Sequence, residues 1–196
     1  MKTTNEEFYG PHLVHMEHVK EKAMVIAKFA AEFSGAKSFR LTSRIKTAES
    51  MERKIIADGL PVDYRSALIE EGDAIGVRII TDSISDVYKI SEKIDAIHIF
   101  DKETQCRVLE VKDYILSPKE SGYRSLHIIM GITSNDEEFP EMKVEFQIRT
   151  SIMDCWASLE HLARYKQVID LTPEVEDTLN TYRQAAEEEI QSLAYA

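Results

Sequence analysis

Lys143-Val144-Glu145-Phe146-Gln147-Ile148-Arg149-Thr150 alternates without a break, with Val144, Phe146 and Ile148 on one side of an extended chain and Lys143, Glu145, Gln147 and Arg149 on the other. Successive side chains of a strand point to opposite faces, so this is a strand with one buried and one polar face. Half-exposed antiparallel strands commonly read this way. Its polar face also sets a carboxylate between a cation and an amide. A Mg²⁺–phosphate site uses that donor set: one hard oxygen ligand for the metal, with neighbours for the phosphate oxygens.

Outward from this strand, short β-branched segments at 39–46, 75–81, 97–101 and 125–132 predict further strands, with a helix near 84–94. Leu13, Met16, Val19, Ala23, Ile26, Ala30 and Phe33 recur at helical spacing and predict an N-terminal helix over 12–34, which Gly35 closes as a left-handed cap. Ile152, Trp156, Leu159 and Ala163 predict a helix over 151–168. Thr172 as N-cap and Pro173 at the first helical position open another over 173–195. The expected fold is α/β (α+β): a mixed sheet of about five strands flanked by helices, in one domain over 1–196. Val175, Leu179, Tyr182, Ala186, Ile190 and Leu193 form an apolar stripe on the last helix for which little core remains. The stripe is therefore expected to dock on another copy of the chain in a symmetric oligomer.

Composition removes whole classes of function. At 196 residues, 43% hydrophobic and 30% charged, with 7 Gly and 5 Pro, the chain is neither disordered nor fibrous. No apolar run approaches the ~20 residues of a membrane helix, and MKTTNEEFYG lacks a signal peptide's basic and apolar regions. Cys106 and Cys155 stand far apart without CxxC, which fits neither a metal knuckle nor a disulfide framework and points to a reducing cytoplasm. A net charge of −11 argues against a stable nucleic-acid partner. The histidines carry no zinc-ligand spacing.

Against that acidic background, Lys37, Arg40, Arg44, Lys46, Arg53 and Lys54 gather 6 of the 24 basic residues into one short segment. Such focusing suits a polyphosphate ligand, although a strand edge guarded by lysines reads the same way. A second cluster sets Lys112, Lys119, Arg124 and His127 around Tyr123, the cations and ring that grip a nucleotide by phosphate and base; a tyrosine packed on the core is the alternative. Asp73, just ahead of an apolar strand, is a possible second metal carboxylate. Strict alternation sends Asp73 and Arg78 to opposite faces, so sharing a ligand requires a bend at Gly72 or Gly76.

Taken in order, these segments resemble the synthetase domain of the RelA/SpoT family. Ser43-Arg44-Ile45-Lys46 with Ser50 and Lys54 resembles G-R-V-K…S…K, and Asp73-Ala74-Ile75-Gly76-Val77-Arg78 resembles D-I-A-G-I-R. Lys112-Asp113-Tyr114-Ile115, Pro118-Lys119 and Gly122-Tyr123-Arg124-Ser125-Leu126-His127 resemble K-D-Y-I…P-K-x-x-G-Y-x-S-x-H. Val144 to Thr150, then Trp156-Ala157 and Glu160-His161, resembles V-E-I-Q-I-R-T…W-A…E-H. Ser43 replaces the usual glycine, which bears on how closely the backbone approaches ATP; Ala74-Ile75 inverts the usual pair, and Phe146 replaces Ile. No His-Asp dipeptide occurs and residues 1–36 are too few for a hydrolase domain, so the resemblance is to the small, synthetase-only alarmone synthetases.

The resemblance implies a nucleotidyltransferase-like fold of the polymerase-β type and a tetramer. It implies transfer of the β,γ-pyrophosphoryl group of ATP to the 3′-hydroxyl of GDP or GTP in stringent-response signalling, with release of AMP and Mg²⁺ as cofactor. On it, Arg44 and Arg78 clamp adenine, and Lys46, Ser50 and Lys54 hold the ATP phosphates. Asp73 and Glu145 bind Mg²⁺, with Glu145 drawing the proton. Tyr123 stacks on guanine, Lys112, Lys119, Arg124 and His127 hold the acceptor, and Gln147 and Arg149 support the same face. Two rivals stand: a toxin-like relative that makes adenosine alarmones or pyrophosphorylates tRNA, against which the acidic balance weighs, and a non-catalytic nucleotide-binding module, against which the pair Asp73 and Glu145 weighs.

Overall fold

The stretch around Glu145 is the middle strand of a five-stranded sheet. The computed structural model describes residues 3–165 and 169–193. In chain order the elements are α1 (Asn5–Tyr9), α2 (His12–Phe33), β1 (Phe39–Ile45), α3 (Ala48–Ala57), β2 (Ile75–Thr81), α4 (Ile84–Asp95), β3 (Cys106–Asp113), β4 (Leu126–Thr133), β5 (Glu141–Thr150), α5 (Ser151–Glu160) and α6 (Pro173–Leu193), with π-helical turns at Ser66–Glu70 and His161–Tyr165. The strands lie in the order β1-β2-β5-β4-β3, antiparallel except for the parallel pair β2 and β5. This is the mixed sheet flanked by helices expected from the sequence.

Alternation decides which face is covered. Val144, Phe146 and Ile148 of β5 are fully buried and join Ile75, Val77 and Ile79 of β2 in the core under α2 and α4. α2 meets the sheet through Met16, Val19, Ala23, Ile26, Ala27 and Ala30, all at 0–1% exposure, and the small alanines allow helix and sheet to approach closely. It ends where Gly35 takes φ 78°, the left-handed conformation that glycine adopts without a Cβ clash. Beside the first turn of α2, buried His12 bonds through Nδ1 to Asp136 Oδ2 at 2.7 Å, tying the helix to the β4–β5 connection.

The opposite face holds the polar side chains in two rows. Pairing registers Arg44 with Gly76, Gly76 with Glu145 and Glu145 with Ile129. The next row runs Thr42, Arg78, Gln147, His127 and Lys112. Residues from all five strands are thus presented to one space.

Several elements, α1 among them, differ from the sequence reading. The expected strand at 97–101 is only an isolated bridge between Ile99 and Gln105, because Asp101 Oδ1 accepts from the backbone N–H of Glu103 and Thr104 and turns the chain too tightly for a ladder. The fifth strand is instead β3, a polar edge strand whose Arg107, Glu110 and Lys112 hide its pattern. α3 was not expected, since Thr47 supplies no side-chain cap; the N–H of Ala48 is taken by Asn5 Oδ1 at 2.8 Å, from a residue distant in sequence. The helix expected over 151–168 is α-helical to Glu160 and continues as a π-turn to Tyr165; 166–168, like the last residues of the helix expected over 173–195, lie outside the described residues.

Much of the apolar stripe of α6 between Val175 and Ile190 packs within the chain. Leu179 is buried with Trp156 and Ala157, with Val175, Tyr182, Tyr123 and Leu159 packed around them, while Ala186 and Ile190 join the main core. Val175, Tyr182 and Ile190 remain half-buried, so part of the stripe stays open to another copy of the chain. Sheet and α5 left more apolar surface for α6 than the length of the chain suggested.

His12 and Asp136 generate a prediction. Burial disfavours the Asp136 carboxylate, but the hydrogen bond from His12 and the backbone N–H groups of Phe139 and Glu138 outweigh it and hold its pKa below the ordinary value. A folded pKa below the unfolded one stabilises above the unfolded value of 3.8 and loses that contribution as pH falls through the folded value. Asp136→Asn is expected to cost about 1.5–3 kcal/mol in urea unfolding at neutral pH, the scale of a hydrogen bond to a charged group. The gap to the parent chain should narrow below pH 3.8.

Candidate active site

The two polar rows line an open cleft bounded by Thr42, Ser43 and Arg44 of β1, Gly76, Val77 and Arg78 of β2, Glu145 and Gln147 of β5, and Asp73. The bend that the sequence required is present. Ala74 and Ile75 are both buried, so strict alternation begins only at Ile75, and Asp73 enters the same cleft as Arg78. Gly76 lies between Arg44 and Glu145 across the sheet, and its missing side chain leaves the cleft floor open.

One end of the cleft is a balanced charge cluster. Lys46 Nζ pairs with Asp73 Oδ2, and Lys54 Nζ reaches Asp73 Oδ1 at 2.9 Å and also pairs with Glu71. Two cations therefore face two carboxylates. Burial raises the pKa of Asp73, but the charge and hydrogen bonds of Lys46 and Lys54 more than offset it, and the carboxyl stays below its usual range. Lys46 is fixed from behind: its N–H donates to Ala74 O at 2.9 Å, and its carbonyl accepts from buried Tyr9 at 2.9 Å. Ser50 and Lys54 stand one turn apart on α3, with Ser50 Oγ accepting from Thr47 Oγ1 at 3.0 Å.

The middle of the cleft is Glu145. Its Oε1 lies 2.9 Å from His127 Nδ1, and its Oε2 accepts from Gln147 Nε2 at 2.6 Å. Burial pushes its pKa up, the hydrogen bond and charge of His127 push it down more strongly, and the group remains an ionised carboxylate. Nε2 of His127 pairs with the Tyr123 hydroxyl at 2.9 Å, which Arg149 NH1 approaches at 3.5 Å. Arg149 donates to that oxygen, so Glu145, His127, Tyr123 and Arg149 form one continuous chain of hydrogen bonds.

Beyond His127 the acceptor wing expected from the sequence is only partly assembled. Lys119 Nζ stands 4.8 Å from the Tyr114 ring centroid and 5.3 Å from that of Tyr123, and Tyr123 also packs toward Trp156. Lys112, on the edge strand, pairs with Glu110 at 2.8 Å and is registered with His127. Arg124 is not brought to the cleft: NH1 donates to Ile115 O at 2.5 Å and NH2 faces Glu187 of α6, because neighbouring Tyr123 takes the inward side. Three contributors were missed in the sequence. Glu71 balances Lys54, Tyr114 shares Lys119, and Asp154 in the first turn of α5 binds both Arg149 and Arg78. Asp154 carried a readable signal, an acid five residues beyond Arg149 at the start of a helix.

Paired carboxylates beside lysines and planar arginines can hold a metal-bound polyphosphate and a base while positioning a hydroxyl, the requirements of a nucleotide-dependent phosphoryl transferase. The chain belongs to the RelA/SpoT family: the family model "Region found in RelA / SpoT proteins" matches residues 43–170. GTP pyrophosphokinase YwaC of Bacillus subtilis is 34% identical over 192 residues, covering 95% of this chain and 87% of that protein. The small alarmone synthetase 1 of B. subtilis, solved with its product pppGpp, superposes with TM-score 0.74 at 26% identity over 93% of each chain. Small alarmone synthetase 2 of the same organism gives TM-score 0.70 at 30% identity, over 93% of this chain and 94% of that one.

The open floor at Gly76 makes a test. A Cβ there would lie 3.8 Å from Arg44 Cγ, an ordinary contact, so Gly76→Ala should keep both fold and binding. Gly76→Leu should fold but fill the cleft, weakening a fluorescent nucleoside triphosphate by at least about tenfold, or 1.4 kcal/mol, in titration.

Proposed function

We propose that this chain is a GTP/GDP pyrophosphokinase, which transfers the β,γ-pyrophosphoryl group of ATP to the ribose 3′-hydroxyl of GDP or GTP to form ppGpp or pppGpp, with AMP as the other product. The observation that carries the reading is Glu145: an ionised carboxylate in the middle of one sheet face, with the basic cluster of Lys46 and Lys54 on one side and His127 and Tyr123 on the other. Relatives bearing the name GTP pyrophosphokinase, and a matching structure with pppGpp bound, support it.

Arg44 and Arg78 hold adenine between guanidinium planes, and Lys46, Ser50 and Lys54 hold the ATP phosphates. In the free chain Asp73 and Glu71 balance the two lysines, so the cluster is prepared for an exchange of partners rather than a net change of charge. Asp73 and Glu145 fit Mg²⁺. The described residues contain no group of three metal-binding side chains, and Mg²⁺ characteristically takes one or two carboxylates and keeps its remaining sites for water and phosphate. Bound there, the metal would neutralise charge on the transferring phosphates. Glu145 accepts the proton of the 3′-hydroxyl, with His127 and Gln147 fixing its two oxygens. Tyr123 meets guanine, and Lys112, Lys119 and His127 hold acceptor phosphates and ribose once Lys119 leaves the two tyrosine rings. Gln147 and Arg149 support the same face; Arg124 braces the loop against α6.

Among the described residues no helix is long and apolar enough to cross a membrane, and Cys106 and Cys155 are both free thiols, which supports work in the cytoplasm. A homotetramer assembled through the C-terminal helices, implied by the family resemblance, belongs to the same proposal. Light scattering at micromolar concentration should give a multiple of 22.4 kDa; the single-chain mass removes the oligomer from the account.

Replacing Glu145 by Gln keeps the shape while removing the charge and the base. Turnover of ATP and GTP into AMP and pppGpp is expected to fall at least ~10²-fold, the scale of general-base catalysis, with unchanged circular dichroism. Near-parental turnover would exclude Glu145 from the chemistry.

A further inference from the structure

We infer that Asp154 is a positioning residue that ties the donor side of the cleft to the acceptor wing by holding Arg78 and Arg149 on a single carboxylate oxygen. The inference rests on the proposed pyrophosphoryl transfer for what the two sides bind. Asp154 Oδ1 accepts from Arg149 NH2 at 2.5 Å and lies 3.4 Å from Arg78 NH1. Arg78 lines the cleft beside Arg44, whereas Arg149 reaches the Tyr123 hydroxyl and, through it, His127. One atom thus fixes the separation of two arginines that serve different substrates.

Electrostatics gives the acid a second task. Arg149 has 2% of its side chain exposed, and among the described residues the buried Nε atoms of Arg149 and Arg78 find no hydrogen-bond partner. Burial first, then the charges of Arg149 and Arg44, disfavour the charged form of Arg78, and Asp154 opposes them. Without its carboxylate the two guanidiniums repel across the gap it bridges. The backbone leaves Asp154 little freedom: β5 ends at Thr150, whose Oγ1 caps α5 by accepting from the Met153 N–H at 3.4 Å, and Asp154 follows in the first turn, where the helix dipole favours an anion.

The test compares the parent chain with Asp154→Asn and Asp154→Glu, measuring kcat, KM for ATP and for GTP, and Tm. A purely structural acid would lower Tm and leave both KM values alone. The expected result for Asp154→Asn is a rise of at least about tenfold in both KM values, the scale of a lost hydrogen bond to a charged group. Asp154→Glu, which restores the charge at a shifted position, should recover part of that loss. KM values within about twofold of the parent in Asp154→Asn, or a rise confined to one substrate, would overturn the inference. If Asp154→Asn does not fold, Asp154→Glu decides: both KM values raised by about threefold or more support positioning, and unchanged values refute it. A parent chain that forms no pppGpp contradicts the proposed function instead; the affinities of ATP and GTP analogues for the same three proteins then read the tie between the two arginines directly.

Discussion

The parallel pairing of β2 with β5 places Gly76 beside Glu145 and Arg78 beside Gln147, and the cleft exists because of that register. Both strands bury alternate residues at essentially zero exposure under α2 and α4. A slip of one residue would carry Arg78 and Glu145 into the core and Val77 and Phe146 into the cleft, so apolar burial on one face fixes polar geometry on the other. The antiparallel neighbours then extend the two rows to Arg44 on one side and His127 and Lys112 on the other. In this way the ordinary driving force for folding sets the distances of the chemistry.

The charges of the cleft are organised before any ligand arrives. Partly buried ions are tolerated when paired and hydrogen-bonded. Here most of the basic side chains have an acid to hand: Lys46 and Lys54 have Asp73 and Glu71, His127 has Glu145, and Arg78 and Arg149 have Asp154. Among the described residues no acid pairs with Arg44, which lines the cleft and adds to the positive field that reaches Arg78. Such a site is preorganised for a polyanion that brings a divalent cation with it, since the incoming charges replace existing pairs and little has to reorganise.

Much of this was legible in the sequence, and for definite reasons. β5 and β2 could be read because each buries one whole face, and α2 because its apolar stripe repeats without interruption. Asp73, Glu145, Arg44 and Arg78, which the sequence pattern singles out, line one cleft, and the parity of Asp73 and Arg78 calls for the bend seen before Ile75. α3 escaped because its cap comes from Asn5, and β3 because an edge strand need not alternate cleanly. Arg124 was placed with the acceptor on its charge, whereas Tyr123 occupies the inward position and turns it to Ile115 and Glu187. Asp154 was passed over because its place at the start of α5 does not by itself reveal that it serves two arginines from different strands.

The central claim is that the two sides of this cleft hold ATP and a guanosine nucleotide for a single pyrophosphoryl transfer. The most direct measurement is the ³¹P NMR time course of ATP, Mg²⁺ and GTP with the purified chain. The account predicts AMP and a guanosine 3′-pyrophosphate appearing together in equal amounts, with no comparable product when ADP or tRNA replaces GTP. ADP and inorganic phosphate as the products, or transfer to adenosine nucleotides or tRNA in preference to guanosine nucleotides, would contradict it.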